Sequence, residues 1–155
     1  MKKLFLLLTM VCLSLGVNAQ TGRGNSSFGF NLGYGFDSEH ATLGLDYRYC
    51  ITDGFRLNPG LTYLVKNNGI SAWMIDLNAH YVFRLSDLFG FYPLGGFSMS
   101  FWDFGPVNKS RFGANVGLGG EIYATDQFSV GLEAKYNIIK DFDQAFVGLR
   151  AAYCF

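Results

Sequence analysis

From Phe28 to Phe155 the chain divides into eight short segments in which every second residue is apolar. A β-strand sends successive side chains to opposite faces, so this period of two sorts each segment into an apolar and a polar side. The second segment gives Ala41, Leu43, Leu45, Tyr47 and Tyr49 against Asp46 and Arg48, and the fourth gives Trp73, Ile75, Leu77, Ala79, Tyr81 and Phe83 against Asp76, Asn78, His80 and Arg84. Apart from tyrosine hydroxyls and an indole nitrogen, the apolar face carries no hydrogen-bonding side chain and no charge. A chain so patterned builds strands, and the polarity of its two faces decides what surrounds them.

The segments fall near 28–35, 40–50, 55–65, 72–84, 90–102, 111–123, 128–139 and 144–155, and they are punctuated by a repeated phrase. Thr52-Asp53-Gly54-Phe55, Ser86-Asp87-Leu88-Phe89 and Thr125-Asp126-Gln127-Phe128 each combine a hydroxyl, an aspartate, a free position and a phenylalanine. Ser, Thr and Asp close tight turns by bonding nearby backbone amides. Three such turns divide the chain into four hairpins, whose other ends are the polar or glycine-containing connections at 36–40, 66–71, 103–110 and 140–143. The phenylalanine of each phrase falls in phase with the apolar face, so turn and register agree. Pro59 and Pro93 each remove a ladder donor, and local bulges are expected there. In the fifth strand this register places Tyr92 and Leu94 on the polar side, so the alternation defines its register least sharply.

Which face points inward follows from size. An eight-stranded barrel has a bore only just wide enough to be filled by side chains. The many aromatic rings of the apolar face do not fit there, whereas glycines and medium polar residues do. Aromatic residues make up 17% of the chain and charged residues only 15%, against about 25% charge in an ordinary soluble domain. The expectation is therefore an all-β, eight-stranded antiparallel up-and-down transmembrane β-barrel, apolar outside and polar inside. Closure also removes the unpaired strand edges that a bilayer does not tolerate. No stretch after the first residues approaches 18 consecutive apolar residues, which excludes a helical membrane protein. Twelve basic residues balance twelve acidic ones with no basic stripe, so nucleic acid is not an expected partner.

The amino terminus has a positive start at Lys2-Lys3, an apolar run from Leu4 to Gly16 and a small-x-small site at Val17-Asn18-Ala19. These are the parts of a secretory signal peptide over residues 1–19, cleaved after Ala19, with the barrel domain at 20–155. A lipoprotein anchor at Cys12 is the alternative, but Thr9-Met10-Val11 lacks the small residue such a site requires.

With these features the chain resembles the small eight-stranded outer-membrane barrels of Gram-negative bacteria, the OmpA/OmpX-like family. Gly148, Ala151, Tyr153 and Phe155 look like the C-terminal signal that the barrel-assembly machinery of that family reads, although Phe146 stands where such signals usually carry a polar residue. The segments from Val116 to Tyr123 and from Phe128 to Tyr136 resemble that family's last hairpins. The resemblance implies an outer-membrane location, outer-membrane lipids and the assembly machinery as partners, and a monomer. It specifies architecture better than activity.

Inside the expected barrel, the carboxylates Asp46, Asp76, Glu121 and Glu133 face the cations Arg48, Arg56, Arg84, Lys135 and Arg150, with His80 among them. Buried charges must pair or cost several kcal/mol each, so these residues are read as an ion-pair network filling the bore rather than as a conducting path. His40 lies beside Ser38 and Glu39, with Asp37 near. These are ingredients of hydrolysis or acyl transfer, and lipid-modifying barrels of this size exist, but neighbours in sequence rarely converge as a triad. Trp102, Phe104 and Pro106 are read as an interfacial anchor near the rim, with a mouth-located site for a small hydrophobic molecule as the alternative. Cys50 and Cys154 fall on the inward face, on strands separated by a third. The oxidising envelope allows a disulfide, but at about 9–10 Å between Cα atoms in regularly spaced strands the free pair is the reading preferred over the bridge. No metal-ligand cluster, phosphate loop or nucleotide motif is visible, so no cofactor is expected. The reading is a non-enzymatic envelope barrel with a structural or interaction role.

Overall fold

The computed structural model describes residues 22–155; the leader expected over 1–19, its cleavage site and Cys12 lie outside them. The strands are β1 (Ser26–Gly35), β2 (His40–Cys50), β3 (Phe55–Asn67), β4 (Ile70–Tyr81, continued past Val82 by Phe83–Arg84), β5 (Phe89–Asp103), β6 (Asn108–Tyr123), β7 (Phe128–Ile139) and β8 (Gln144–Cys154). Each pairs antiparallel with its neighbours in the chain, β8 pairs with β1, and the β4–β5 pairing completes the ring. The fold is a closed eight-stranded antiparallel barrel, as the alternation predicts. Among the described residues, no helix is long and apolar enough to cross a membrane.

The outer wall is the apolar face. Phe28, Leu45, Trp73, Leu77, Phe97, Phe112, Leu132 and Leu149 are each 45% or more exposed, a surface that water would not stabilise. The intervening positions turn inward and are buried.

The three turns at 51–54, 85–88 and 124–127 are built alike. In the first two, the amides of Phe55 and Phe89 donate to the Thr52 and Ser86 hydroxyls at 3.0 and 3.1 Å, and in the third Gln127 N donates to the Thr125 hydroxyl at 3.3 Å. Returning bonds from the amides of Thr52, Ser86 and Thr125 to the phenylalanine carbonyls measure 3.1, 3.2 and 3.1 Å. The hydroxyl, not the aspartate, closes each turn; Asp53 instead accepts from the Arg23 amide at 3.0 Å.

The bulges expected at Pro59 and Pro93 do not form. On either side of Pro59 the β2–β3 register is the same, with Asp46 opposite Gly60 and Tyr49 opposite Leu57. That register sets Pro59 across from Tyr47, whose carbonyl takes a bond at 3.2 Å from the side-chain amide of Asn58. A side-chain donor thus replaces the missing backbone one, and the strand has no need to bend. Pro93 pairs with Leu118 in an unbroken β5–β6 ladder, and pairing to β4 lapses only locally around Val82. The irregularity lies elsewhere, between Leu64 and Asn67, beside a two-residue turn. Asn68 and Gly69 there have φ of 49° and 84°, the left-handed pair that a tight hairpin requires.

Candidate functional site

The chemistry-bearing residues converge on the barrel axis, where they form two groups. Asp46 is the centre of the first half: Arg150 Nε and Nη2 reach its oxygens at 2.8–3.0 Å, and the amides of Asn31 and Asn58 donate to it at 2.6 and 2.8 Å. Arg48 Nε stands 3.6 Å from the same carboxylate, while its Nη1 and Nη2 reach Glu121 at 2.8 Å and Glu133 at 3.1 Å. Arg56 closes the chain on Glu121 at 2.5 Å and donates through Nε to His80 Nδ1 at 3.1 Å. Tyr92 joins both arms, since its hydroxyl donates to Glu133 at 2.9 Å and accepts from Arg48 at 2.8 Å. Both guanidinium carbons sit 4.5–4.9 Å from its ring centroid, and His80 stacks on the ring at 4.6 Å.

The second group is smaller. Lys135 pairs with Asp76 at 2.7 Å, Asn115 donates to Asp76 and Asn78 at 3.0 and 2.9 Å, and Asn137 donates to Asn115. Glycines make room for the longest of these side chains. A Cβ on Gly29 would collide with the Arg150 guanidinium, and one on Gly119 with the Tyr92 ring, which lies opposite it in the β5–β6 ladder.

The structure places nine of the ten expected interior residues at the axis. Arg84 is the exception: it is exposed at the end of β4 next to the 85–88 turn. Its removal from the bore changes the arithmetic from four acids against five bases to four against four. His80 is fully buried, with Arg56 and Tyr92 as its neighbours in place of the Asp76 and Arg84 that flank it in sequence. Gly148, Ala151 and Tyr153 lie along β8, and Phe155 follows it, exchanging backbone bonds with Ser26 at 2.8 and 3.0 Å.

Above the polar groups, at the connection end, the inward face turns apolar, unlike the expected polar interior. Leu64, Ala72, Met74, Trp102, Ile139 and Phe146 turn inward and form a buried apolar cluster, with Phe104 and Phe142 packed on it. Trp102 is 4% exposed and stacks on Phe142 at 5.1 Å, so it is not a rim anchor facing lipid but part of a lid across the bore. The signal was its parity: Phe101 faces outward, so Trp102 must face in. Phe146 belongs to the same lid, which accounts for an aromatic residue where the C-terminal pattern usually has a polar one. Beneath the lid a cavity of about 70 Å³ is bordered by Met74 and Phe146 on one side and by Arg48, Asp46, Asp76, Glu133 and Lys135 on the other. It has room for a few water molecules.

The hydrolase ingredients do not assemble. His40 Nδ1 faces the Ser38 carbonyl at 2.5 Å and Nε2 faces the Ile70 carbonyl at 3.1 Å, while the Ser38 hydroxyl donates to Gln144 at 2.9 Å. With both ring nitrogens against backbone oxygens, His40 has no lone pair directed at a nucleophile. The thiols of Cys50 and Cys154 are free. Cys50 bonds back to Asn25 at 2.9 Å while Cys154 lies opposite Ser27, so a two-residue stagger adds to the two strand spacings between them. Among the described residues, no group of three or more His, Cys, Asp or Glu side chains is arranged to hold a metal.

A sequence profile described as outer membrane protein beta-barrel domain matches residues 6–155. No curated protein matches in sequence. Among solved structures, the N-terminal β-barrel domain of Pseudomonas aeruginosa OprF superimposes with a TM-score of 0.74 at 16% identity, covering 86% of this chain and 99% of that one. A de novo designed transmembrane β-barrel gives 0.64 at 16% identity, with 88% and 99% covered. Ail, the attachment invasion locus protein of Yersinia pestis, gives 0.60 at 18% identity, with 86% and 99% covered. That a designed barrel fits as well as a natural one marks these likenesses as statements about fold.

Proposed function

The chain belongs to the outer membrane protein beta-barrel domain family, and on that premise we propose that it is a plugged, non-enzymatic barrel with a structural or interaction role in the envelope. Outer-membrane lipids wet its aromatic wall, and it acts as a monomer. A cleaved leader over residues 1–19 delivers it, and the barrel-assembly machinery reads Gly148, Ala151, Tyr153 and Phe155.

The observation that carries the reading is the pair of barriers along the axis. Ions entering from the connection end meet the Trp102 lid, and those entering from the turn end meet Arg48 and Arg56 clamped on Glu121. Breaking such buried pairs leaves uncompensated charge, so the network holds the bore shut as well as filling it. His40, engaged by two carbonyls, gives the lipid-modifying alternative no support.

The test is a planar-bilayer recording on purified protein whose gel mobility shifts on heating, which reports a folded barrel. No steady single-channel current is expected. A reproducible open level in the heat-modifiable protein would overturn the plugged reading, and detergent-free solubility as a folded monomer would overturn the membrane reading.

A further inference from the structure

Three turns with one backbone plan provide an internal comparison. Each has four residues between strands, a hydroxyl in the second place, aspartate in the third and phenylalanine after the fourth. Because bonding fixes only the hydroxyl and the backbone, the first and fourth positions are open to choice by surroundings. They are Ile51 and Gly54 in the first turn, Leu85 and Leu88 in the second, and Ala124 and Gln127 in the third. Leu85 and Leu88 are 65% and 64% exposed, at positions where tight turns ordinarily carry Gly, Pro, Asn, Asp or Ser. The turn is not loose, since the Leu88 carbonyl accepts the Tyr123 amide at 2.9 Å.

The wall around this turn is also taller than the rest. Outward apolar side chains on β5 run from Phe89 to Phe101, about 40 Å of chain at roughly 3.4 Å per residue. On β1 and the first residue after it, diametrically opposite in an eight-stranded ring, the run from Phe28 to Phe36 gives only about 27 Å. Strands inclined by about 40° project these lengths to roughly 31 and 21 Å, against an apolar band of about 25 Å in such barrels. An upright cylinder would leave apolar wall in water on the β5 side and would bury too little on the β1 side. Strands on opposite walls lean in opposite directions, so tipping the axis by about 15° brings both projections close to 24 Å.

We propose that the cylinder sits tilted in the membrane, with the 85–88 turn immersed at the lipid interface through Leu85 and Leu88, while the 124–127 turn stands in water. The lipid surface is the occupant because the two leucines continue the outward apolar wall formed by Tyr81, Phe83 and Phe89, with the exposed Arg84, Ser86 and Asp87 beside them at the level of the lipid headgroups. This inference rests on the membrane-spanning reading above.

Single cysteines introduced by Leu85→Cys, Leu88→Cys, Gln127→Cys and Leu132→Cys, in a Cys12→Ser/Cys50→Ser/Cys154→Ser background, would carry spin labels in phospholipid vesicles. Heat-modifiable migration checks folding of each. Leu132, in mid-wall, tests the membrane reading itself. The expected result is a ratio of oxygen to water-soluble nickel relaxation that is severalfold higher at Leu85 and Leu88 than at Gln127, and high at Leu132. Leu85 and Leu88 matching Gln127 while Leu132 stays in lipid would overturn the immersion and leave the barrel reading intact. Shielding of Leu85 and Leu88 from both relaxants would also overturn it, in favour of a protein contact. A low ratio at Leu132 would remove the membrane reading and this inference together.

Discussion

Tyr92 stands directly across the β5–β6 ladder from Gly119, and its ring fills the space a side chain at that position would need. The ring cannot swing aside, because its hydroxyl is held by Arg48 and Glu133. Gly119→Ala should therefore destabilise the barrel by about 1–3 kcal/mol, the usual cost of overpacking. The urea midpoint for loss of the heat-modifiable folded form measures it, and an unchanged midpoint would show that the ring is free to move.

Arg48 is the residue on which most of the axial charge depends. Arg48→Met leaves Arg56 as the one cation paired with Glu121 among the described residues, beside the Tyr123 hydroxyl, and removes the cation paired with Glu133. A loss of about 3–5 kcal/mol is expected, as for other buried pairs that lose one partner. Adding Glu133→Gln should recover part of it, which a urea-unfolding double-mutant cycle would quantify.

Asn58 and Pro59 make a coupled pair. Asn58→Ala strands the Tyr47 carbonyl and removes a donor from Asp46, at a cost of about 1–3 kcal/mol. Pro59→Ala restores the backbone donor, so it should be worth more in the Asn58→Ala protein than in the parent. Equal effects of Pro59→Ala in both backgrounds would show that the side-chain amide does not substitute for the ladder.

Trp102→Ala empties the middle of the lid and should cost about 3–5 kcal/mol. It should not open a conducting path, because the Arg48–Glu121–Arg56 clamp lies beyond it. Thermal unfolding and single-channel recording on the same sample separate the two effects.

Cys50 and Cys154 should remain unbridged under oxidation. One intervening strand and a two-residue stagger put their Cα atoms roughly 12 Å apart, beyond the reach of a disulfide. Intact-mass measurement after diamide treatment, with and without reductant, should show two free thiols.

The strands were legible because both faces of each carry a strong contrast, and a slip of one residue would have put Asp46 and Arg48 into lipid. The eight segments, the inward Tyr92 and Leu94, and the positions of the three turns all follow from that contrast. What escaped was information carried by single residues. Asn68-Gly69 spells a two-residue hairpin, yet the broad polar connection drawn over 66–71 hid it. Prolines were read only for the bond they lack, and the neighbouring Asn58 that supplies a replacement has no periodic signature. The lid was missed because tryptophan near a strand end suggests an interface, although the parity of Phe101 already sends Trp102 inward. Arg84 shares the polar parity of His80, but parity says nothing about how far along the axis the bore extends.

Ser26 and Phe155 exchange backbone bonds in both directions, so the first residue of β1 and the residue that follows β8 are stitched into the same ladder as every other neighbour. Geometrically the ring has no seam. A short covalent bridge from one to the other, with a cut made instead at Gly105, would give a circular permutant with the same neighbours in the same order, its first strand being the present sixth.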